Sequence, residues 1–306
     1  MTAKVILNPY AGRWKASKHR EEAEFALKNA GVEFDIEVTD NPGHGSELAY
    51  QAVLQGYTPI ISVGGDGSIS EVINGMVKAF QESGSPPSVP VGLLPLGSAN
   101  DLAVNLNIPL SLKDAAQVIA QGDIRMMDLC QVNNRYFDNN SAVGLEPSIT
   151  LIQQRITKVS GIIRYLLATI IGVMEKPMWV MRLEWDGGEY HGPISLVTVG
   201  NNPLTGGLFY MTPHADPYDG LLTFVYGYMA TRFQILRLLP RTMKKGQDSY
   251  VEHPEIHEIN SPWLKIISET PTPLHADGEI QSTAISEINY KVLPAYLPIL
   301  TSKIDR

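Results

Sequence analysis

Pro59-Ile60-Ile61-Ser62-Val63-Gly64-Gly65-Asp66-Gly67-Ser68-Ile69-Ser70-Glu71-Val72-Ile73-Asn74-Gly75-Met76 is the stretch whose reading decides the fold. It opens on a short apolar run, Pro59 to Val63, that reads as a buried strand, and Ile69, Val72, Ile73 and Met76 then recur at helical spacing. A strand, a glycine-rich turn and a helix in that order form the repeating unit of a parallel α/β sheet. The same pattern extends outward on both sides. VILN (Val5 to Asn8) reads as an earlier strand, Ala16 to Ala30 as an amphipathic helix stopped by Gly31, and FDIEV (Phe34 to Val38) as a second strand. A helix over Gly45 to Gln55 is entered from the Asn41-Pro42-Gly43 breaker, and VGLLP (Val91 to Pro95) is a further strand that ends in Leu96-Gly97-Ser98.

Beyond about Arg125 the texture changes. QVNNRYF, WVMRLEW, ISLVTVG and LLTFVYGY alternate apolar and polar residues between Gly, Pro, Asn and Asp, which predicts an antiparallel β domain with one helical interruption over Ile149 to Glu175. A boundary near Met126 divides the chain into an α/β domain over residues 1–126 and a β domain from residue 127. No linker of low complexity lies there.

The 306 residues suffice for one large domain or two ordinary ones. A formal charge of -8 opposes contact with DNA, RNA or an anionic bilayer, so a general nucleic-acid binder is excluded. Cys130 stands alone, which rules out an intrachain disulfide or a cysteine-rich zinc module and fits a reducing cytoplasm. The first residues, MTAKVILNPYAG, carry no signal-peptide pattern. The most apolar run, Tyr165 to Met174, is far shorter than the ~20 residues of a spanning helix.

Gly64-Gly65-Asp66-Gly67-Ser68 is the sharpest chemical feature. Glycines between a strand and a helix let backbone amides approach a ligand, and a helix N-terminus favours an anion, so phosphate is the natural guest. A carboxylate there would repel phosphate unless a divalent cation lies between them, so Asp66 points to a Mg²⁺-nucleotide site; the alternative is a tight turn in which Asp66 caps the helix. Leu96-Gly97-Ser98-Ala99-Asn100-Asp101-Leu102 repeats the pattern after the next strand, and Asn8-Pro9-Tyr10-Ala11-Gly12 adds a third loop at the same end. Competing motifs are missing: no glycine is followed by lysine, Ser70 stands where a dinucleotide fingerprint needs Gly or Ala, and no G-x-S-x-G occurs. His253 and His257 are separated by Pro254 and form no zinc helix.

These residues carry a resemblance. Asn8-Pro9 with Gly12, Thr39 before Pro42-Gly43-His44, GGDGSISEVINGM and GSANDLA resemble the catalytic domain of the diacylglycerol and sphingosine lipid kinases, distant relatives of NAD kinases. Lys158 to Pro177, Gly206-Gly207, Ala215 to Leu222 and His275-Ala276-Asp277-Gly278-Glu279 follow in the order of bacterial members, so the resemblance covers nearly the whole chain. It implies a Rossmann-like (phosphofructokinase-like) α/β domain and an antiparallel β-sandwich over residues 127–284. The active site would lie in the cleft between them, and the tail 285–306 would return to the first domain. By position, Asn8, Pro9, Gly12, Thr39, Gly64, Gly65, Asp66, Gly67, Ser68, Ile69, Ser70, Gly97, Ser98, Asn100 and Asp101 would hold ATP. Glu279 would accept the proton, with Asp66 and Asp277 beside it as catalytic carboxylates; Asp216, Asp219 and Leu221 would hold a structural Mg²⁺.

Two serines, Ser68 and Ser98, stand where most relatives have threonine, and Ala99 and Leu102 replace the commoner Gly and Phe. The implied reaction is transfer of the ATP γ-phosphoryl group to a lipid hydroxyl, diacylglycerol to phosphatidic acid, by a cytoplasmic, peripherally membrane-associated enzyme. A homo-oligomer stays open. Thr231 to Lys245 holds Arg232, Arg237, Arg241, Lys244 and Lys245 among apolar residues and no acid, the composition of an interfacial helix or of a packed helix with a basic outer face. The run at Tyr165 to Met174 poses a like choice, substrate-cleft wall or core. Two other readings remain: an NAD kinase-like enzyme acting on a soluble substrate, and a catalytically silent nucleotide-binding regulator.

Overall fold

The structure, a computed structural model, describes residues 2–11, 20–156, 159, 162–175 and 178–302. Gly12, the first part of the helix expected over Ala16 to Ala30, and Lys158, Ser160, Gly161, Lys176 and Pro177 of the second motif group lie outside the described residues. The chain divides into two compact units, Met1–Leu129 with Pro294–Arg306, and Cys130–Leu293. The sequence placed the boundary at 126/127 and the return of the tail at 285.

The first unit is a parallel sheet. β1 (Ala3–Leu7) lies between β2 (Phe34–Val38) and β3 (Ile60–Gly64), β4 (Val91–Pro95) pairs with β3, and Ile299 near the end of the chain adds a parallel partner to Val91. β3 and β4 are buried at every residue, whereas the edge strand β2 alternates. Continuous burial requires cover on both faces, which helices in the crossovers provide. These are α1 (Arg20–Asn29), α2 (His44–Leu54), α3 (Asp66–Ser83), the short α4 (Asp101–Asn105) and α5 (Leu112–Gln121). In α3, Ile69, Val72, Ile73, Met76, Val77 and Phe80 form the buried stripe, each apolar side chain contributing about 1.5 to 3 kcal/mol by leaving water. β3 extends to Gly64, one residue beyond the apolar run that announces it. The returning tail is fixed by the Ala295 N–H, which donates to Asp128 Oδ1 at 2.6 Å, and by the Thr301 N–H, which donates to the Asp123 carbonyl at 3.0 Å.

The strand order β2–β1–β3–β4 reverses direction between β1 and β3. In open parallel sheets a ligand crevice opens beyond the carboxyl ends of the strands at such a switch point. Register places the loops level: Leu7 pairs with Val63, Val63 with Leu94, and Leu7 with Val38. The segments starting at Asn8, Thr39, Gly65 and Leu96 therefore leave the sheet on one rim.

The second unit is antiparallel throughout. β5 (Ile124–Val132) enters it at Cys130, where it pairs with β6 (Arg135–Phe137). The other strands are β7 (Asn140–Gly144), β8 (Trp179–Trp185), β9 (Gly188–Ile194), β10 (Leu196–Gly200), β11 (Leu204–Thr205), β12 (Phe209–Tyr210), β13 (Leu222–Gly227), β14 (Ile256–Ser261), β15 (Trp263–Ala276) and β16 (Glu279–Leu300). One ladder runs β14–β13–β10–β7–β15, and β15 also pairs with β8, which pairs with β9. β15 serves both by bending. Its first half, Leu264 to Ser268, pairs with β8, its last residues, Leu274 to Ala276, pair with β7, and its register against β16 shifts between Ile267 and Leu274. Pro271 and Pro273 lie in that stretch and cannot donate to a ladder, so the irregularity falls where the sequence permits it. Phe137, Phe224, Leu264, Ile288 and Tyr290 belong to one buried core, and the Trp185 and Phe224 rings meet in an edge-type pair with centroids 5.4 Å apart.

The helical interruption expected as one element over Ile149 to Glu175 is two helices, α6 (Leu145–Arg155) and α7 (Ile162–Glu175). The reason is local: Ile156 leaves the helical region at φ -88°, ψ 103°. α8 (Arg232–Leu238) starts from a capping box, in which the Thr231 hydroxyl and the Gln234 side chain satisfy each other's backbone, and passes into a 3-10 turn over Leu239–Met243. Pro240 sits at the start of that turn.

Candidate functional site

The rim of the first unit is built by contacts between loops that are remote in sequence. Asn8 Nδ2 donates to Ser68 Oγ at 2.9 Å, while Asn8 Oδ1 accepts from the Tyr10 N–H, so one side chain shapes its own loop and ties it to the next. A Cβ built on Gly65 would lie 2.9 Å from Gly97 Cα, and one built on Gly97 would lie 2.5 Å from Gly65 Cα. The two glycine turns thus fuse into a single backbone floor that tolerates no side chain between them. Asn100, at φ 54°, clamps the second turn: its Oδ1 accepts from the Gly97 N–H at 2.7 Å and its Nδ2 donates to the Gly97 carbonyl at 3.2 Å.

Asp66 links the two glycine turns. Gly65 is the N-cap of α3, and Asp66 Oδ1 instead accepts from the Leu102 N–H at 3.3 Å, so it caps the start of the neighbouring helix α4. Burial raises its pKa, against the lowering effect of the backbone amides of Leu102, Asp66, Asp101 and Asn100. With a folded-state pKa above the unfolded value, folding disfavours the carboxylate, and this group costs stability once pH rises through that range. Asp66→Asn is therefore expected to gain thermal stability over the parent as pH increases from about 4 to 7. Melting curves against pH test this; a gap that shrinks with pH contradicts it.

Asn8, Pro9, Gly65, Asp66, Gly67, Ser68, Gly97 and the exposed Ser98 come together on this rim with solvent access. Thr39, Ile69, Ser70, Asn100 and Asp101 are buried, so their side chains support the rim from beneath. Ile69 and Ser70 lie one turn into α3, where the helical period turns them inward. A residue the sequence reading passed over, Glu71, accepts the Gly43 N–H at 2.8 Å and the Gly45 N–H at 3.0 Å, holding the start of α2 after the Thr39 loop.

In the second unit, Asp277 and Gly278 form the tight turn from β15 to β16, at φ 46° and 75°. Both oxygens of Asp277 are engaged by backbone: Oδ1 accepts from Asn139 and Asn140 at 3.1 and 3.2 Å, and Oδ2 from Asp138 at 3.3 Å. Asp277 therefore anchors the turn. Glu279 follows it, about half exposed, with Arg135 Nη2 3.4 Å from its carboxylate. In the loop before β13, Asp216 Oδ1 accepts from the Tyr218 N–H at 3.1 Å and Asp219 Oδ1 from the Leu221 N–H at 2.9 Å. Among the described residues no group of three or more His, Cys, Asp or Glu side chains is placed to hold a metal ion. This loop offers two carboxylates and backbone carbonyls, a hard oxygen set of the kind that suits Mg²⁺ when water or phosphate completes the shell.

The second unit also contains an apolar cavity of ≈ 80 Å³ walled by α6, α7 and α8, with Ile149, Val173, Leu196, Met229 and Leu236 among its lining. The α7 stretch is thus both wall and surface. Val173 faces inward, while Ile163, Leu167, Ile170, Ile171 and Met174 are exposed, Ile163 at 58% and Met174 at 52%. Phe233 on α8 is exposed at 73%. Arg241, counted with the basic cluster in the sequence, is committed internally: Nε and Nη2 donate to the Asp248 and Ser249 carbonyls at 3.0 and 2.8 Å. No described helix is long and apolar enough to cross a membrane.

A family model for the diacylglycerol kinase catalytic domain matches residues 2–132, and one for the YegS C-terminal NAD kinase beta sandwich-like domain matches residues 140–301. The chain belongs to the diacylglycerol kinase-like family of lipid kinases, and it is a kinase. It is 25% identical to a diacylglycerol kinase of Staphylococcus aureus (strain bovine RF122 / ET3-1) over 278 residues, 90% of this chain and 85% of that one. It is 25% identical to one of Staphylococcus saprophyticus, with 90% and 88% covered. A crystal structure of a diacylglycerol kinase from Bacillus anthracis str. Sterne shares the fold, with a TM-score of 0.76 at 20% identity over 98% of this chain and 97% of that one.

Proposed function

We propose that the protein transfers the γ-phosphoryl group of ATP, with Mg²⁺, to the hydroxyl of a membrane lipid, with diacylglycerol as reference acceptor and phosphatidic acid as product. The fused Gly65–Gly97 floor, next to the switch point, carries this reading, because backbone without side chains beside the N-terminus of α3 suits a polyphosphate. Asn8, Ser68 and Ser98 add polar groups at its edge. In the reaction the lipid oxygen bonds to the γ-phosphorus as the bond to the β-phosphate oxygen breaks; the hydroxyl proton passes to Glu279, and ADP leaves with the bonding electrons. Bound Mg²⁺ would neutralise phosphate charge, and Asp66 is the carboxylate of the rim suited to hold it. Labelled ATP offered with diacylglycerol vesicles or with NAD tests the acceptor class. Label in the lipid is expected; label in NADP alone would move the protein to the soluble-substrate reading.

Membrane access follows the same reading. The outer face of α7 and Phe233 would enter the headgroup boundary, with Arg164, Arg232 and Arg237 near anionic lipid, while the inner faces of α7 and α8 line the apolar cavity. Each large apolar side chain withdrawn from water contributes about 1.5 to 3 kcal/mol, so the pair Ile170→Glu, Phe233→Glu is expected to weaken sedimentation with anionic vesicles by about tenfold or more. Binding equal to the parent would leave these faces without a role at the bilayer. Arg241 is unsuited to such a test because its loss would release the Asp248 and Ser249 carbonyls.

A further inference from the structure

Glu146, in the first turn of α6, lines the apolar cavity of the second unit. Its side chain is 12% exposed, and the His275 side chain beside it 3%. Among the described residues both of its side-chain hydrogen bonds fall on one oxygen, Oε1, which accepts from Asn140 Nδ2 at 3.1 Å and lies 3.1 Å from His275 Nε2. The other, Oε2, is buried and has no hydrogen-bond partner among the described residues. A buried acceptor left unpaired is costly, and an apolar wall offers it nothing. Asn140 also donates its backbone N–H to Asp277, so this carboxylate is fastened to the turn that precedes Glu279.

We propose that Glu146 determines acceptor specificity: its Oε2 takes a hydrogen bond from a second donor on a long-chain lipid, a hydroxyl or ammonium beyond the hydroxyl that is phosphorylated. The inference rests on the lipid-kinase reading and narrows its acceptor. Diacylglycerol carries one donor only, the reacting hydroxyl, and its esters can only accept. A monoacylglycerol or a long-chain amino alcohol brings the further donor. Sites built to hydrogen-bond a substrate group reject analogues that lack it far more strongly than apolar pockets distinguish methylenes.

The test has a binding arm and a turnover arm, both on the full chain. In the first, binding of monooleoylglycerol and of its di-O-methyl ether in detergent micelles is followed by tryptophan fluorescence without nucleotide. The wild-type protein is expected to bind the capped ether at least about tenfold more weakly. Glu146→Met should erase that difference and Glu146→Gln reduce it. Equal binding of the two lipids by the wild type overturns the assignment whatever the variants do. In the second, kcat/KM with ATP and Mg²⁺ is compared for monooleoylglycerol, a long-chain amino alcohol and dioleoylglycerol. A preference for the first two that Glu146→Met abolishes supports the assignment. Phosphorylation of all three with equal kcat/KM overturns it and leaves the lipid-kinase reading standing. Donor-dependent binding without turnover of any lipid supports Glu146 as the contact and removes the kinase reading instead.

Discussion

Glu279→Gln is expected to slow phosphoryl transfer by about 10²- to 10⁴-fold, the range for loss of a positioned proton acceptor, while nucleotide affinity stays within about twofold of the parent. The amide keeps the size of the carboxylate and gives up its capacity to take a proton. On the proposed reading the nucleotide would be held by the rim of the first unit, whereas Glu279 stands after the Asp277-Gly278 turn of the second. Affinity should therefore be indifferent to the change. Arg135 is expected to matter by orientation, since its guanidinium reaches the carboxylate at 3.4 Å. Single-turnover rates with a fluorescent nucleotide titration separate the two quantities. Near-normal turnover in the variant would dismiss Glu279 as the base.

The second large effect falls on stability. Asp277→Ala removes the acceptor of three backbone N–H groups, at Asp138, Asn139 and Asn140, all within buried residues. Unsatisfied buried donors of this kind cost about 1 to 3 kcal/mol each before relaxation, so a total loss of roughly 3 to 5 kcal/mol is expected. Asp277→Asn keeps one oxygen that can serve Asn139 and Asn140, and its loss should be clearly smaller. Urea midpoints of the two variants decide the matter. If alanine and asparagine are equally mild, the carboxylate does not anchor the turn.

These expectations depend unevenly on what the sequence reveals. Phe34–Val38 and Val91–Pro95 are strands with the bounds that their composition predicts, because a short apolar run between breakers has few other uses in a compact chain. The glycine turns after β3 and β4 were legible as strand-to-helix turns for the same local reason. Their fusion through Gly65 and Gly97 was not, since it depends on two strands being neighbours in register. Asp66 shows the limit well. Sequence spacing relates it to its own helix, yet its oxygen caps a helix that starts 35 residues later, a contact that only the sheet order creates.

Long-range partners were hidden altogether. Arg135 meets Glu279 across 144 residues and Glu146 meets His275 across 129, and no periodicity carries information over such distances. The helical interruption was visible in kind but not in number, because the helix that ends at Arg155 gives way to extended backbone at Ile156 and the next starts only at Ile162. The uncharged run Tyr165 to Met174 announced an apolar segment and left open whether it is cleft wall or core. It could not announce which of its side chains stay uncovered, as Leu167, Ile170, Ile171 and Met174 do. Burial is a property of what packs against a helix, and that is settled elsewhere in the chain.

The most direct measurement of the central claim is lipid-phase label. The full chain is incubated with γ-labelled ATP, Mg²⁺ and anionic vesicles that contain diacylglycerol and monoacylglycerol, and the organic extract is counted with and without a magnesium chelator. The account predicts labelled phospholipid that depends on Mg²⁺ and is lost in Glu279→Gln. Label confined to the aqueous phase while the protein still binds nucleotide would contradict it.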